Sequence, residues 1–244
     1  MAADSSAEKK AAQHAAKRKV CLVDDHPLTR DGLATIINRQ PDMEVCFEAS
    51  NASEAMSALE RALPDLVVTD LTMPGRSGIE FLKDIRAMFP GIPVLVLSMH
   101  DEMCYAERVL RAGARGYLMK DAGAEKVLEV IRTVLRGQAY LSPQMAKRVL
   151  DVMTCHSEDA SPIEKLSDRE FEVYQLIGRG KSTKEVAIEL RLSAKTVEAH
   201  RAHIKKKLQL NDALSLVHHA VCWMESHAEN LPHEQPSHRS KNNS

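Results

Sequence analysis

The chain of 244 residues carries a formal net charge of −1 and an apolar fraction of 44%. That length accommodates two ordinary domains, and the near-neutral balance confines any nucleic-acid surface to one region. No stretch approaches the roughly 20 apolar residues of a membrane span, and Met1 to Lys19 lacks the apolar core of a secretory signal. Cys21, Cys46, Cys104, Cys155 and Cys222 are odd in number and contain no C-x-x-C pair, so they read as reduced thiols of a cytoplasmic protein.

Ala2 to Ala16 is small, polar and rich in Ala and Lys, and a loose tail is expected over 1–17. Lys19 to Val23 is a short apolar run that ends on two carboxylates, Asp24 and Asp25. A helix follows, with Leu33, Ile36 and Ile37 on one face, and stops before Pro41. Val45 to Ala49 reads as a second strand, and Ser53 as the cap of a helix carrying Ala55, Met56 and Leu59. The third strand, Leu66 to Thr69, is apolar on both faces and ends on Asp70 before Pro74-Gly75. A helix with Ile79, Leu82, Ile85 and Met88 leads to a fourth buried strand, Pro93 to Ser98. A helix over Cys104 to Ala112, a fifth strand over Gly116 to Lys120 and a helix over Ala124 to Arg136 complete the series.

Five strand–helix alternations with short connections predict a doubly wound five-stranded parallel sheet. In the order 2-1-3-4-5 the first and third strands meet at the switch point, where such sheets bind ligands. Asp24 and Asp25 then stand beside Asp70, and the fourth and fifth strand ends add Ser98 and Lys120. Three packed carboxylates repel one another, and Mg²⁺, which takes one or two carboxylates and bridges to phosphate, relieves that repulsion. A carboxylate opposed by Mg²⁺ and a lysine is equipped to accept a phosphoryl group. No G-x-x-x-x-G-K-[ST] or G-x-G-x-x-G follows the first strand, so nucleoside triphosphate or dinucleotide binding is unsupported.

Val-Asp-Asp-His-Pro at 23–27, Thr-Asp-Leu-Thr-Met-Pro-Gly at 69–75, Leu-Ser-Met-His at 97–100 and Gly-Tyr-Leu-Met-Lys-Asp at 116–121 resemble the receiver domain of two-component response regulators. The resemblance implies that Asp70 is the phospho-acceptor, with Asp24 and Asp25 as metal-site acids. It makes Asp25, Asp70 and the Thr72 carbonyl direct Mg²⁺ ligands. Ser98 and Tyr117 become the hydroxyl and aromatic switch residues, and Lys120 the phosphate-pairing base. One departure is Asp121, where many receivers place a proline in a cis peptide. A non-proline cis bond costs about 2.5–4 kcal/mol. The receiver is expected over 18–137.

A linker with a short helix is expected over 138–160, capped by Ser142 with Pro143 at its first position and carrying Met145, Val149, Leu150 and Met153. Ser167 then opens a helix with Glu170 three residues on, a capping box, and Phe171, Tyr174, Leu176 and Ile177 form its apolar face. A second helix covers Thr183 to Leu190, and a third runs from Ala194 to about Leu208 with Lys195, Arg201, Lys205, Lys206 and Lys207 against the single acid Glu198. Two short helices, a tight turn and a basic second helix read as helix-turn-helix. A fourth helix over Asp212 to Glu225 presents Ala213, Leu216, Val217, Ala220 and Met224 as one apolar stripe. None of the eleven histidines reads as a metal ligand, His218-His219 forming at most a weak pair.

Leu-Ser-Asp-Arg-Glu at 166–170, Gly-Lys-Ser-Thr-Lys-Glu-Val-Ala at 180–187 and Leu-Ser-Ala-Lys-Thr-Val-Glu-Ala-His-Arg at 192–201 resemble the LuxR/NarL-type DNA-binding domain. A C-terminal all-α four-helix domain is expected over 161–226, with a disordered tail over 227–244. Lys195, Thr196, His200, Arg201, Lys205 and Lys206 are candidates for phosphate contacts, which set position and affinity. Glu198, Ala199 and Ala202 share the face that addresses base edges in the resembled family; Glu accepts from cytosine and Ala touches a thymine methyl.

Together these features imply a cytoplasmic, phosphorylation-dependent transcriptional regulator, phosphorylated on Asp70 by a sensor histidine kinase. Its partners would be double-stranded DNA with inverted-repeat half-sites and, when active, a second copy in a homodimer. The chain is not a dedicated enzyme on this reading, beyond supporting its own autodephosphorylation. An aspartate-nucleophile phosphatase is the rival, but such enzymes need a second acid two residues past the nucleophile, where this chain has Thr72. A receiver joined to a protein-binding adaptor is the third reading, and the salt dependence of duplex binding discriminates it.

Overall fold

The computed structural model describes residues 16–73, 77–99, 102–147 and 162–228. The chain divides into two compact units, with the break between Ser161 and Pro162. The two terminal tails lie almost entirely outside the described residues, as do Val149, Leu150 and Met153 of the linker helix.

The first unit is a five-stranded, all-parallel sheet in the order β2-β1-β3-β4-β5. Its strands are β1 (Arg18–Val23), β2 (Met43–Ala49), β3 (Leu66–Thr69), β4 (Val94–Ser98) and β5 (Gly116–Met119). Between them run α1 (Pro27–Asn38), α2 (Ala52–Leu59), α3 (Gly78–Met88) and α4 (Glu102–Ala112), and α5 (Ala124–Leu135) closes the series. Every residue of β3 and β4 is buried, as the unbroken apolar runs require of strands covered on both faces. On one face, Val20, Leu22, Val68, Leu95 and Leu97 pack with Ile37 of α1 and with Val127, Val130, Ile131 and Val134 of α5. The edge strand β2 is only partly buried, and its register against β1 slips at Cys46, where Val20 faces Val45 but Cys21 faces Phe47.

Three local expectations are corrected. The cap of α2 is Asn51, not Ser53: the Asn51 side chain accepts from the Glu54 amide at 2.9 Å, and the Glu54 carboxylate in turn takes the Ser50 amide at 2.8 Å. Both residues are cap formers, and the reciprocal Glu54 bond decides between them. Helix α4 starts at Glu102, two residues before Cys104. Met88, the last residue of α3, is 55% exposed and not part of the buried face. No cis peptide occurs among the described residues, so Lys120–Asp121 is trans.

The second unit opens with a 3₁₀ turn, Pro162–Lys165, and contains α6 (Asp168–Gly178), α7 (Thr183–Glu189), α8 (Ala194–Lys207) and α9 (Ala213–Ala228). The capping box is present: the Glu170 amide donates to Ser167 Oγ at 3.3 Å and the Ser167 amide to Glu170 Oε2 at 2.7 Å. Helix α6 is buried from Glu170 to Ile177, beyond the stripe the sequence suggests, because it forms the centre of the bundle. Helix α9 lies along it. A Cβ on Gly178 would stand 2.7 Å from the Ala220 carbonyl oxygen, so only glycine permits that approach. Trp223 meets Phe171 and Tyr174 edge-on, with ring centroids 5.7 and 5.8 Å apart. Leu216 and Ala220 are fully buried as expected, but Ala213 at the start of the stripe is exposed, and so is Leu214 at 78%. No described helix is long and apolar enough to cross a membrane.

Candidate functional site

The carboxyl ends of β1, β3, β4 and β5 deliver one cluster. The Asp70 amide donates to the Val23 carbonyl at 2.9 Å, locking the β3 end against β1, and the Lys120 amide donates to the Ser98 carbonyl at 2.9 Å. Asp24, Asp70 and Ser98 are buried, and Tyr117 is fully enclosed within β5. Lys120 Nζ stands 2.7 Å from Asp24 Oδ2 and 2.8 Å from Asp70 Oδ2, with its side chain 9% exposed. The other oxygen, Asp70 Oδ1, accepts from the Leu71 amide at 2.6 Å, and the Thr72 amide also donates to this carboxylate.

One oxygen from each of Asp24, Asp25 and Asp70, with a ring nitrogen of His26, lies within 4.8 Å of the others. Burial and then the neighbouring Asp24 raise Asp70 above the ordinary carboxylate range, although Lys120 opposes them. Burial pulls the Lys120 ammonium down, but Asp70 and Asp24 outweigh it and hold it above the usual lysine value. Asp25 Oδ1 is buried and makes no hydrogen bond, although His26 Nδ1 stands 2.9 Å away. An unsatisfied, buried oxygen among three acids suits a hard, oxygen-seeking cation.

The loop after Asp70 is held by a close backbone contact. The Gly78 amide donates to the Leu71 carbonyl at 3.2 Å, and a Cβ there would stand 2.4 Å from that oxygen. Sequence reasoning passed over this glycine and over His26. The signal for His26 was its place directly after two acids, and its backbone amide also donates to Asp24 Oδ1 at 2.9 Å.

In the second unit, α8 divides by face. Val197, Ile204 and Leu208 are buried, while Lys195, Thr196, Glu198, Ala199, Ala202 and Lys206 are exposed and Lys205 is half-buried. Glu198 Oε1 accepts from Thr183 Oγ1 at 2.7 Å, which ties the start of α7 to the exposed face of α8. Ser193 caps α8, its Oγ accepting from the Thr196 amide at 3.0 Å. Arg201 and His200 differ from the outward group. The Arg201 side chain is only 14% exposed, 3.9 Å from Glu198 Oε1. His200 is half-buried among Glu170, Arg169 and His203, and its burial lowers its pKa. Glu170 also receives Lys207 Nζ at 2.6 Å, a link from the α6 cap to the end of α8 that the sequence did not suggest.

Comparisons agree with this geometry. Residues 20–132 match the model of the response regulator receiver domain, and residues 164–220 that of the bacterial regulatory proteins of the luxR family. The oxygen regulatory protein NreC of Staphylococcus carnosus is 39% identical over 209 residues, covering 83% of this chain and 96% of NreC. The crystal structure of a LuxR-family two-component response regulator from Aurantimonas sp. SI85-9A1 is 34% identical and covers 57% of this chain and all of that one, with a TM-score of 0.53. RcsB of Salmonella enterica serovar Typhimurium, at 24% identity, 84% of this chain, 98% of its own and a TM-score of 0.58, shares the fold. A parallel sheet with an acid–lysine cluster at its switch point, joined to a LuxR-type helix-turn-helix, places this chain in the NarL/LuxR branch of the two-component response regulators, a family of DNA-binding transcriptional regulators.

Proposed function

We propose that a sensor histidine kinase phosphorylates Asp70 and that the phosphorylated protein binds DNA through α8. The carrying observation is the bridge from Lys120 Nζ to both Asp24 and Asp70, at 2.7 and 2.8 Å. In the transfer, the N–P bond of the kinase phosphohistidine breaks and an Asp70 carboxylate oxygen forms the new O–P bond. Lys120 then turns from the lost carboxylate charge to a phosphoryl oxygen, which keeps a positive group against the added negative charge. Asp25, Asp70 and the Thr72 carbonyl would hold Mg²⁺, with Asp24 beside them; bound there, the ion neutralises charge on the transferring group. Buried Ser98 donates its hydroxyl to the phosphoryl group, and Tyr117 follows it through β5, shifting an equilibrium already present in the protein. The same acids support slow autodephosphorylation by water.

At the other end, Lys195, Thr196, Lys205 and Lys206 contact phosphates, with Arg201 and His200 at the margin of that surface, and Glu198, Ala199 and Ala202 face base edges. Paired copies would read inverted-repeat half-sites, and the setting is cytoplasmic. The test is intact-protein mass spectrometry with acetyl phosphate: a phosphoryl adduct forms with Mg²⁺ present and is absent without it and in Asp70→Asn. An equal adduct on the variant would place the acceptor elsewhere. Duplex titration at two salt concentrations tests the second half, since phosphate contacts give a steep salt slope and a protein-binding adaptor gives none.

A further inference from the structure

The peptide group that joins Asp24 and Asp25 is held from outside the acidic cluster. Both residues follow the end of β1 at Val23, and the Asp24 amide donates to the Ala49 carbonyl, the last of β2, at 3.1 Å. The Asp24 carbonyl shares a plane with the Asp25 amide, and it accepts from Arg30 Nη1 at 2.6 Å. Arg30 lies one turn into α1, with its own amide on the His26 carbonyl at 3.1 Å. Its Nε donates to Glu48 Oε2 of β2 at 3.2 Å, and its side chain is only 18% exposed. A planar guanidinium anchored on a carboxylate aims its remaining donors in a fixed direction, which the point charge of a lysine does not.

We infer that Arg30 is a positioning residue for the acidic cluster: anchored by Glu48, it orients the Asp24–Asp25 peptide and so sets where the Asp25 carboxylate meets a divalent cation. This role rests on the proposed Mg²⁺ site at Asp25, Asp70 and the Thr72 carbonyl. Arg30 occupies none of the cluster's carboxylate oxygens. Asp24 Oδ2 faces Lys120 Nζ at 2.7 Å and Asp24 Oδ1 accepts from the His26 amide at 2.9 Å, while Arg30 takes only the backbone oxygen. Its charge and its geometry pull in opposite directions. A guanidinium near the site repels a divalent cation, so on Coulomb grounds its removal would tighten binding. Glu48 offsets much of that charge, whereas Mg²⁺ demands near-ideal octahedral geometry, so the loss of a fixed peptide decides the sign. Removing Arg30 therefore weakens cation binding.

The test is Mn²⁺ binding to the full-length chain, read from loss of the free ion's paramagnetic resonance signal with no phosphodonor present. Mn²⁺ shares the octahedral oxygen preference of Mg²⁺. Arg30→Gln should weaken binding about tenfold, the low end for groups that orient metal ligands. Arg30→Lys keeps the charge but loses the fork, and should weaken binding about threefold. Asp25→Asn removes a proposed ligand and should abolish binding at the cluster. Urea midpoints check that each variant is folded at the assay temperature, and the lysine variant decides the matter should the glutamine variant unfold. Wild-type or tighter binding in a folded Arg30 variant, with Asp25→Asn still defective, would overturn the positioning role and leave the metal site standing. Undiminished binding in Asp25→Asn would overturn the metal site and the positioning role together.

Discussion

The two functional surfaces are built in opposite ways. In the receiver unit the candidate site is buried: Asp24, Asp70 and Ser98 are shielded from solvent, and Lys120 bridges Asp24 and Asp70 at 2.7 and 2.8 Å. In the DNA-binding unit most of the side chains proposed to meet DNA stand outward on one helix, which the buried Val197 and Ile204 anchor. Burial makes the first site a matter of a few interdependent groups, where one change removes everything. Exposure makes the second a sum of small contacts, where one change subtracts a part.

The largest expected effect follows at Asp70. Asp70→Asn should reduce phosphoryl incorporation below detection by mass spectrometry, while affinity of the unphosphorylated protein for random duplex stays within about twofold. A parallel loss of duplex affinity would mean that the units do not divide the labour in this way.

Two glycines sharpen the contrast at the next level. Gly78→Ala drives a methyl into the Leu71 carbonyl, and Gly178→Ala drives one into that of Ala220. Each should destabilise its own unit by about 1–3 kcal/mol, the usual range for overpacking, measured by denaturant titration. Gly78→Ala should also slow phosphorylation, because Leu71 donates to the acceptor carboxylate. Gly178→Ala should leave the phosphorylation rate unchanged and lower duplex affinity instead.

Smaller effects belong to α8. Lys205→Ala should weaken binding to all duplexes alike and reduce the salt slope by about 1, whereas Ala199→Asp should alter the preferred sequence. Selection from random duplexes decides between these, and a new consensus for Lys205→Ala would mean that the face is misassigned. The smallest effect is a pH dependence. Burial opposes ionisation of Glu170, but Lys207 and Ser167 outweigh it and lower its pKa. Its contribution is then complete above the ordinary glutamate value of about 4.3 and fades as pH falls below that through the lowered value. Glu170→Gln should lower thermal stability at neutral pH, where the charged pair with Lys207 contributes, and change little well below the glutamate range, so that the acid limb flattens.

Legibility followed the same division. The receiver sheet was readable because strands buried on both faces leave no polar position to confuse the pattern, and because chemistry at a strand end breaks an apolar run abruptly, as at Val23-Asp24 and Thr69-Asp70. Position within a polar stretch was harder. Asn51 and Ser53 are equivalent cap formers on paper, and only the bonds of Glu54 separate them. In the second unit, the apolar stripe of α9 omitted Trp223, although it stands seven residues after buried Leu216 and three after buried Ala220, on the same face. Helix α6 is buried almost all round, so its partner needs a second line of contact at His219 and Trp223. Glu170 was legible as a cap but not as the partner of Lys207, since a contact of that sequence separation has no local pattern.

The contact at Gly178 has a consequence for the protein as it is made. Helix α6 is the first long helix of its unit to leave the ribosome, and the surface it buries against Ala220 and Trp223 belongs to the last. Roughly 50 residues separate them, an interval of about 3–10 s at ordinary rates of synthesis. Throughout that interval Phe171 and Tyr174 lack their Trp223 partner, and the nascent unit exposes an unfinished apolar seam. Chain termination before Trp223 would make that condition permanent, so a truncation of only the final helix should yield an aggregating product rather than a smaller DNA-binding domain.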